Sequence, residues 1–369
     1  MSWLKVRDEL ILGDDLVEAG VITFHRAINY GAILQTYALQ ESIKELGSNP
    51  YVIDYDCKYL KKEYYPYNIV KCRTLKSIFG YIYKSPFEIV KRYKFTNFLK
   101  KNCKLKSTGG SDDIYITGSD QVWNHTLSNF DKAYFLDFVN NKYARNAYSA
   151  SFGIDSIPNE YYQEYKGLLN RFNNISVREH QGAKLIEELI GRRVKVTLDP
   201  IFLLDKARWS KVARLPKEKD YIFLFLVSKS NSIIKFAEDL SRAHNLKIIF
   251  ANDGMRKCKN ATYLRTLGPD EWLGYLLNSK YIVTNSFHAT AFSINFNKQF
   301  FTEPLLPPSN INSRLQNILE LFDLGSRKIL NGYNKAIDKE INYNKINELL
   351  GMERQKSIEY LNDIFLRVS

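Results

Sequence analysis

Short apolar runs of β type alternate with helical patterns along nearly the whole chain. Val21 to Phe24 reads as a strand, and the helix after Gly31 extends to about Leu46, where Gly47 stops it. Tyr51 to Tyr55 is the next strand, with Asp54 and Asp56 at its end. Helical stretches follow at Leu75 to Tyr83 and Phe87 to Leu99, then strands at Ile114 to Thr117 and Ala147 to Phe152. A helix over Tyr161 to Phe172 leads to the strand Asn174 to Val177, a helix over Ala183 to Ile190, and the strand Lys195 to Leu198, which meets Asp199-Pro200.

A second series has the same grammar. Tyr221 to Val227 is a strand, Ser232 to His244 an amphipathic helix, Lys247 to Ala251 a strand and Pro269 to Asn278 a helix. Tyr281 to Thr284 is the last strand read, a Pro-rich loop (Pro304, Pro307, Pro308) precedes a helix over Ser313 to Phe322, and closing helices run from Ile337. Strands alternating with helices in two halves predict two doubly wound α/β domains facing across a cleft, 1–204 and 205–369, with the boundary between Leu204 and Lys219. The length of 369 residues, more than one core usually serves, agrees with two domains.

Three places share one design, a strand, a polar tip and then a helix whose first N–H groups suit an anion. Ile114-Tyr115-Ile116 runs through Thr117-Gly118-Ser119 to Asp120, Gln121, Trp123 and Asn124. Val21 to Phe24 runs into His25 and Asn29, and Tyr281 to Thr284 into Asn285, Ser286 and His288. In open α/β sheets the ligand site lies outside the carboxyl ends of the strands. Each tip also has a plainer reading. Asp120 fits a helix cap and Trp123 the core. His288 is a candidate general acid or base near neutral pH, although a lone histidine is more often structural. Arg178, between a strand and a helix, offers a planar fork to phosphate or carboxylate, or a salt bridge to Glu179 or another acid. Arg314 opens a helix after the Pro-rich loop and fits an anion ligand or a surface cation.

Composition narrows the classes. The chain is 45% hydrophobic and 14% aromatic, sufficient for packed cores. The head, residues 1–20, lacks a sustained apolar stretch and reads as a non-native or misannotated extension, which excludes an ordinary secretory signal. No run approaches the ~18 apolar residues of a spanning helix, so a cytoplasmic protein is expected. Cys57, Cys72, Cys103 and Cys258 show neither zinc-site nor disulfide spacing, and no metal is expected. P-loop, GxGxxG and GxSxG patterns do not occur, which leaves ATP-dependent and dinucleotide-dependent readings without support.

Charge is concentrated. From Lys58 to Lys106 there are 14 Lys and Arg against two acids, 14 − 2 = +12 of the chain's +13, interleaved with eleven Tyr and Phe. Such a mixture suits an anionic membrane surface. A solvated helical insertion is the plainer alternative. Nucleic acid ranks third and is not expected, because no RNP-type, zinc-finger or recognition-helix signature accompanies the charge.

The segments NYGAILQTYAL (Asn29 to Leu39), ITGSDQVWN (Ile116 to Asn124), SVRE (Ser176 to Glu179), LDP (Leu198 to Pro200), TNSFHATAFSI (Thr284 to Ile294) and NSR (Asn312 to Arg314) together resemble the polysaccharide pyruvyl transferase family, in its large bacterial branch. The resemblance implies a two-domain fold similar to GT-B glycosyltransferases. It also implies transfer of the carboxyethylidene group of phosphoenolpyruvate to two hydroxyls of a sugar, as a cyclic ketal, with release of phosphate and no cofactor. By resemblance His288 is the general acid, and Arg178 and Arg314, with Asn285 and Ser286, bind phosphoenolpyruvate. Asp120 serves the attacking hydroxyl, and His25, Asn29, Gln121 and Trp123 line the acceptor side. Better-known members carry Arg-Leu-His where this chain has Ser286-Phe287-His288, so another cation must replace that arginine, and Arg314 is the choice. The acceptor expected is a sugar of a cell-surface or capsular repeat, on a lipid carrier such as undecaprenyl diphosphate, at the inner face of the membrane where the basic patch would dock. Two rivals stand beside this reading: a GT-B-type nucleotide-sugar glycosyltransferase, and a non-catalytic sugar- or anion-binding protein of the same fold.

Overall fold

A computed structural model describes residues 16–60, 75–110, 113–251, 257–305 and 312–366. Residues 1–15 of the expected extension, 61–74 of the basic segment (with Cys72), and Pro307 and Pro308 lie outside the described residues.

Strands buried on both faces need near-continuous apolar runs, and the chain supplies them at short intervals. In order they are β1 (Glu18–Ile22), β2 (Asn49–Ile53), β3 (Leu105–Lys106), β4 (Ile114–Thr117), β5 (Arg145–Ala150), β6 (Asn174–Val177), β7 (Lys195–Val196), β8 (Tyr221–Phe225), β9 (Lys247–Ala251), β10 (Ala261–Leu264), β11 (Tyr281–Thr284) and β12 (Gln299–Thr302). The helices that matter below are α1 (Tyr30–Glu45), α2 (Leu75–Asn102), α3 (Asn159–Leu169), α4 (His180–Ile190), α5 (Asn231–His244), α6 (Pro269–Asn278), α7 (Phe287–Asn295), α8 (Ser313–Leu321) and α9 (Tyr343–Leu366).

Both sheets are parallel throughout. The first runs β3-β2-β1-β4-β5-β6-β7 and the second β10-β9-β8-β11-β12. Strand order reverses between β1 and β4 in one and between β8 and β11 in the other. These are the topological switch points at which doubly wound sheets open a crevice. The fold is therefore the doubly wound α/β class predicted from the sequence, present twice.

The chain divides into two compact units: Met1–Glu63, Leu99–Leu204 and Leu350–Ser369 form the first, Tyr64–Phe98 and Asp205–Leu349 the second. The pattern predicts residues 58–106 in the first domain and everything after Leu204 in the second; instead Tyr64–Phe98 groups with the second unit and Leu350–Ser369 with the first, and packing explains the return of the C-terminal segment. Tyr360, Leu361, Ile364 and Phe365 at the end of α9 join a core with Ala19, Val21, Leu39, Ile116 and Tyr148 of the first unit. Tyr360 Oη donates to the Ala147 carbonyl (3.0 Å), and Ser357 Oγ accepts from Leu198 N–H (3.0 Å). An amphipathic helix sits where its apolar face is covered, and no local sequence signal names which sheet that is.

Two local expectations shift. β1 begins at Glu18, pairing in register with Asn49, and ends at Ile22, so Thr23 and Phe24 belong to the tip. The two helical stretches expected on either side of Pro86 are one helix, α2, which runs through the proline. Proline removes one N–H and crowds the carbonyl four residues back, and buried Phe95 and Phe98 fix the helix beyond it by tertiary packing.

Candidate functional site

In the first unit the polar tips converge on the β1/β4 switch point. Thr23 Oγ1 donates to the Ser119 carbonyl (2.8 Å) and accepts from Gln35 Nε2 of α1 (2.9 Å). His25, fully buried just beyond, has Nδ1 at 3.1 Å from the Thr23 carbonyl and Nε2 at 3.1 Å from Asp54 Oδ1. Arg26 forks onto the same carboxylate, Nε to Oδ1 at 2.8 Å and Nη2 to Oδ2 at 2.6 Å. The His25 hydrogen bond first, and then the Arg26 fork, outweigh burial and hold the Asp54 carboxyl well below the usual carboxylate range. Asn29 caps α1, its Oδ1 accepting from Gly31 and Ala32 N–H.

A group with a lowered folded pKa stabilises the fold above its unfolded pKa and loses that contribution as pH falls. Asp54→Asn is therefore expected to cost about 1–2 kcal/mol at neutral pH, allowing for solvent around Arg26. The gap to wild type should close as pH drops below ~4, where an unfolded aspartate takes up its proton. Urea midpoints of both proteins between pH 6 and pH 2 measure it.

Asp120 follows β4 with φ of 79°, a conformation L-residues seldom adopt, and it is buried. Its Oδ1 accepts from Gln121 N–H (2.9 Å), and its carbonyl accepts from Ser151 N–H (3.0 Å) past the end of β5. Strained, well-determined backbone of this kind concentrates at functional sites. Arg178, just past β6, is buried. Nη1 donates to Asp199 Oδ2 at 2.6 Å, Nη2 lies 3.8 Å from Asp120 Oδ1, and Nε lies 4.0 Å from Glu179 Oε2. Burial alone would lower the guanidinium's pKa, but Asp199, Asp120 and Glu179 together push it above the ordinary value. Ser119 Oγ donates to Asp199 (3.1 Å) and Ser151 Oγ to Glu179 (2.8 Å). One guanidinium thus meets three carboxylates.

Gln121 packs against Gly153, whose φ is +59° and where an added Cβ would stand 1.7 Å from Gln121 Nε2. Gly153→Ala should displace the amide and cost about 1–3 kcal/mol. Thermal midpoints of Gly153→Ala alone and with Gln121→Ala test it, the second change being expected to restore part of the loss. Trp123 lies in the core, stacked on Phe135 (5.8 Å between centroids, 14° between planes) with its indole N–H donated to the Tyr134 carbonyl (3.2 Å).

The second unit repeats the device at the β8/β11 switch point. Thr284 Oγ1 donates to the Phe225 carbonyl (2.6 Å). Asn285 closes the loop after β8, its Oδ1 accepting from Val227 N–H (2.9 Å) and its Nδ2 donating to Ser228 O (3.1 Å) and Oγ (3.0 Å). Ser286 caps α7 by accepting from Ala289 N–H (3.4 Å). That places buried His288 in the first turn of α7, its ring 5.1 Å from Phe287 and edge-on to it at 77°. On the same Phe287 ring sits the buried guanidinium of Arg314, 5.4 Å from the centroid. Asn312 sets up α8 by pairing both ways with the Leu305 main chain (2.7 and 2.6 Å). His288 and Arg314, 26 positions apart in sequence, are thus joined through Phe287.

Of the residues expected from sequence, Asp120, Gln121 and Arg178 stand together in the first unit, beside the His25 and Asn29 tip. Asn285, Ser286, His288 and Arg314 stand together in the second. Asp54, Ser119, Ser151, Glu179, Asp199 and Phe287 were not singled out as site residues. The signal that finds the first five is position, because each falls within three residues of a strand's carboxyl end. Among the described residues no group of three His, Cys, Asp or Glu side chains is placed to hold a metal ion.

The family model for polysaccharide pyruvyl transferase matches residues 29–302. The chain belongs to that family. The match includes Asn29, Asp120, Gln121, Trp123, Arg178, Asn285, Ser286 and His288, while His25 and Arg314 of this pyruvyl transferase family member fall just outside it. No curated protein matches the chain. Solved structures similar to it include the UDP-GlcNAc 2-epimerase of Methanocaldococcus jannaschii (13% identity, 90% of this chain and 92% of that one, TM-score 0.46). The UDP-N-acetylglucosamine 2-epimerase of Rickettsia bellii is another (12% identity, 94% and 96%, TM-score 0.47). The glycosyltransferase SnogD of Streptomyces nogalater is a third (10% identity, 94% and 96%, TM-score 0.44).

Proposed function

We propose that this pyruvyl transferase family member uses phosphoenolpyruvate as donor and places its carboxyethylidene unit on two hydroxyls of a sugar in a cell-surface or capsular polysaccharide. The acceptor we infer is lipid-linked, on a carrier such as undecaprenyl diphosphate, with the protein at the cytoplasmic face of the membrane. Family membership supports pyruvyl transfer as the reaction class. The observation that carries the residue assignment is the His288–Phe287–Arg314 group at the switch point of the second unit.

The donor is a trianion with an electron-rich methylene. Arg314 is a buried, permanently charged fork for its phosphate or carboxylate, and the N–H groups opening α7 favour the same charge. His288, in that turn, gives a proton to the methylene carbon, leaving oxocarbenium character at the phosphate-bearing carbon. The first sugar hydroxyl adds there and gives up its proton. Phosphate then leaves, taking that proton, and the second hydroxyl adds and returns a proton to His288. Two hydroxyl protons are consumed, one at the new methyl and one on phosphate, so the enzyme ends as it began. Arg178 we assign to holding Asp120 in place, because its charge is already met by Asp199. Asn285 and Ser286 shape the donor loop, and His25, Asn29 and Gln121 flank Asp120. The enclosed Trp123 we leave out of the acceptor contacts.

Phosphate release from phosphoenolpyruvate, measured with galactose-, glucose- and mannose-type acceptors, free and lipid-linked, tests the reading. Release that depends on acceptor is the expected result. No release with any acceptor, together with tight binding of a nucleotide sugar, would replace it with the glycosyltransferase reading. Arg314→Ala should raise the KM for phosphoenolpyruvate by about 10- to 150-fold, the loss of one charge-assisted contact, with the acceptor KM unchanged.

A further inference from the structure

The basic helix α2 carries a stripe of exposed apolar and aromatic side chains. At 3.6 residues per turn, Tyr83, Pro86, Ile89, Val90 and Tyr93 fall on one arc of the helix, and all five are exposed, Tyr93 to 71%. The opposite arc is where the helix packs, with Phe95 and Phe98 buried. Four large apolar or aromatic side chains on one exposed arc, spanning about 15 Å of helix, are more than scattered surface apolar residues.

How α2 is fastened gives the stripe a direction. Arg265, the residue after β10, stacks its guanidinium on Tyr83 (5.3 Å) and on Phe87 (5.0 Å). Lys94 pairs with Glu271 in the first turn of α6 (2.7 Å), and Arg214 pairs with the same carboxylate. Glu271 in turn accepts from Gly268 N–H (2.7 Å). The end of β10 and the start of α6 lie on the carboxyl edge of the second sheet, the edge from which β11 delivers Asn285, Ser286 and His288. The exposed stripe therefore belongs to a helix clamped at the edge that carries the proposed donor site.

Charge names the occupant. The helix itself, Leu75–Asn102, has seven cations against one acid, and a face of Tyr, Ile, Val and Pro on so basic a helix complements an anionic lipid surface. We propose that the exposed arc of α2, Tyr83 to Tyr93, is an interfacial membrane-docking face that lies in the headgroup layer of anionic bilayers. It would bring the carboxyl edge of the second sheet to the surface where a lipid-linked sugar is presented. That last step rests on the function proposed above; the docking itself does not.

Sedimentation with vesicles separates the two. Wild-type protein should bind phosphatidylglycerol/phosphatidylcholine vesicles, release as salt rises, and bind pure phosphatidylcholine weakly. The triple variant Ile89→Ser, Val90→Ser, Tyr93→Ser should keep the wild-type melting transition and phosphate release with a soluble acceptor while partitioning at least tenfold less. Equal binding of wild type and triple variant, or equal binding to neutral and anionic vesicles, would overturn the proposal. So would a wild-type dimer that the triple variant breaks, with no vesicle binding by either, since the stripe would then face a second copy. Vesicle binding that the variant loses, in a protein that never turns over phosphoenolpyruvate, would leave the docking face standing and remove the function.

Discussion

Replacing His288 with alanine is expected to lower acceptor-dependent phosphate release by about 10²- to 10⁴-fold, the range a single positioned acid contributes. Protonating an enol carbon is the demanding step of the proposed reaction, because the proton goes to carbon and the positive charge that results sits beside a carboxylate and a phosphate. A group able to hold and give a proton near neutral pH is needed at that atom. In the second unit the residue with that chemistry at the β11 tip is His288, buried in the first turn of α7 beside the Phe287–Arg314 pair. The loss should fall on kcat, with the KM for phosphoenolpyruvate nearly unchanged, because Arg314, the proposed anion contact, is still present. That split distinguishes an acid from an anchor. His288→Gln, which keeps size and one hydrogen bond but not the titration, should behave like alanine. A variant at His288 retaining more than a tenth of wild-type kcat would remove the histidine from the chemistry.

How far the site was legible depends on distance along the chain. The tips at Asp120 and His288 are readable because a short β run, a polar turn and a helix start sit within a dozen residues, and both were found at switch points. The class of fold is readable for the same reason, since alternating strand and helix patterns in two halves leave few other arrangements. What could not be read is tertiary. Arg178 reads equally as an anion fork or an ion-pair partner, and only the approach of Asp199, 21 positions on, decides where its charge goes. Phe287 reads as a core aromatic until Arg314 is seen on its face. Trp123 fitted both a sugar platform and a core residue, and the ring packing of Phe135, Phe152 and Phe172 encloses it. The return of α9 to the first unit has no local cause at all, because the core that Leu361 and Phe365 complete is built from residues more than 150 positions earlier.

The second large effect expected is on stability. Arg178→Ala should destabilise the first unit by about 3–5 kcal/mol, the usual cost of removing one partner from a buried charged group. The guanidinium is enclosed, and so are the carboxylates of Asp199, Asp120 and Glu179 that face it at 2.6, 3.8 and 4.0 Å. Without it, three buried acids lose their shared cation and keep Ser119, Ser151 and main-chain N–H groups among their donors. Removing the nearest acid as well, in Arg178→Ala with Asp199→Ala, should recover part of the loss, and the double-mutant cycle should show a coupling of about 1 kcal/mol or more. Arg178→Lys should fall between, since an ammonium keeps the charge but cannot span three acceptors as a planar fork does. Thermal and urea unfolding of the four proteins read these differences. The same variants also decide what Arg178 does. As the residue that holds Asp120, its loss lowers kcat and stability together, and Asp199→Ala restores stability more than rate. As a donor ligand, its loss would instead leave unfolding near wild type and raise the KM for phosphoenolpyruvate. Three carboxylates around one cation make the first pattern the one to expect.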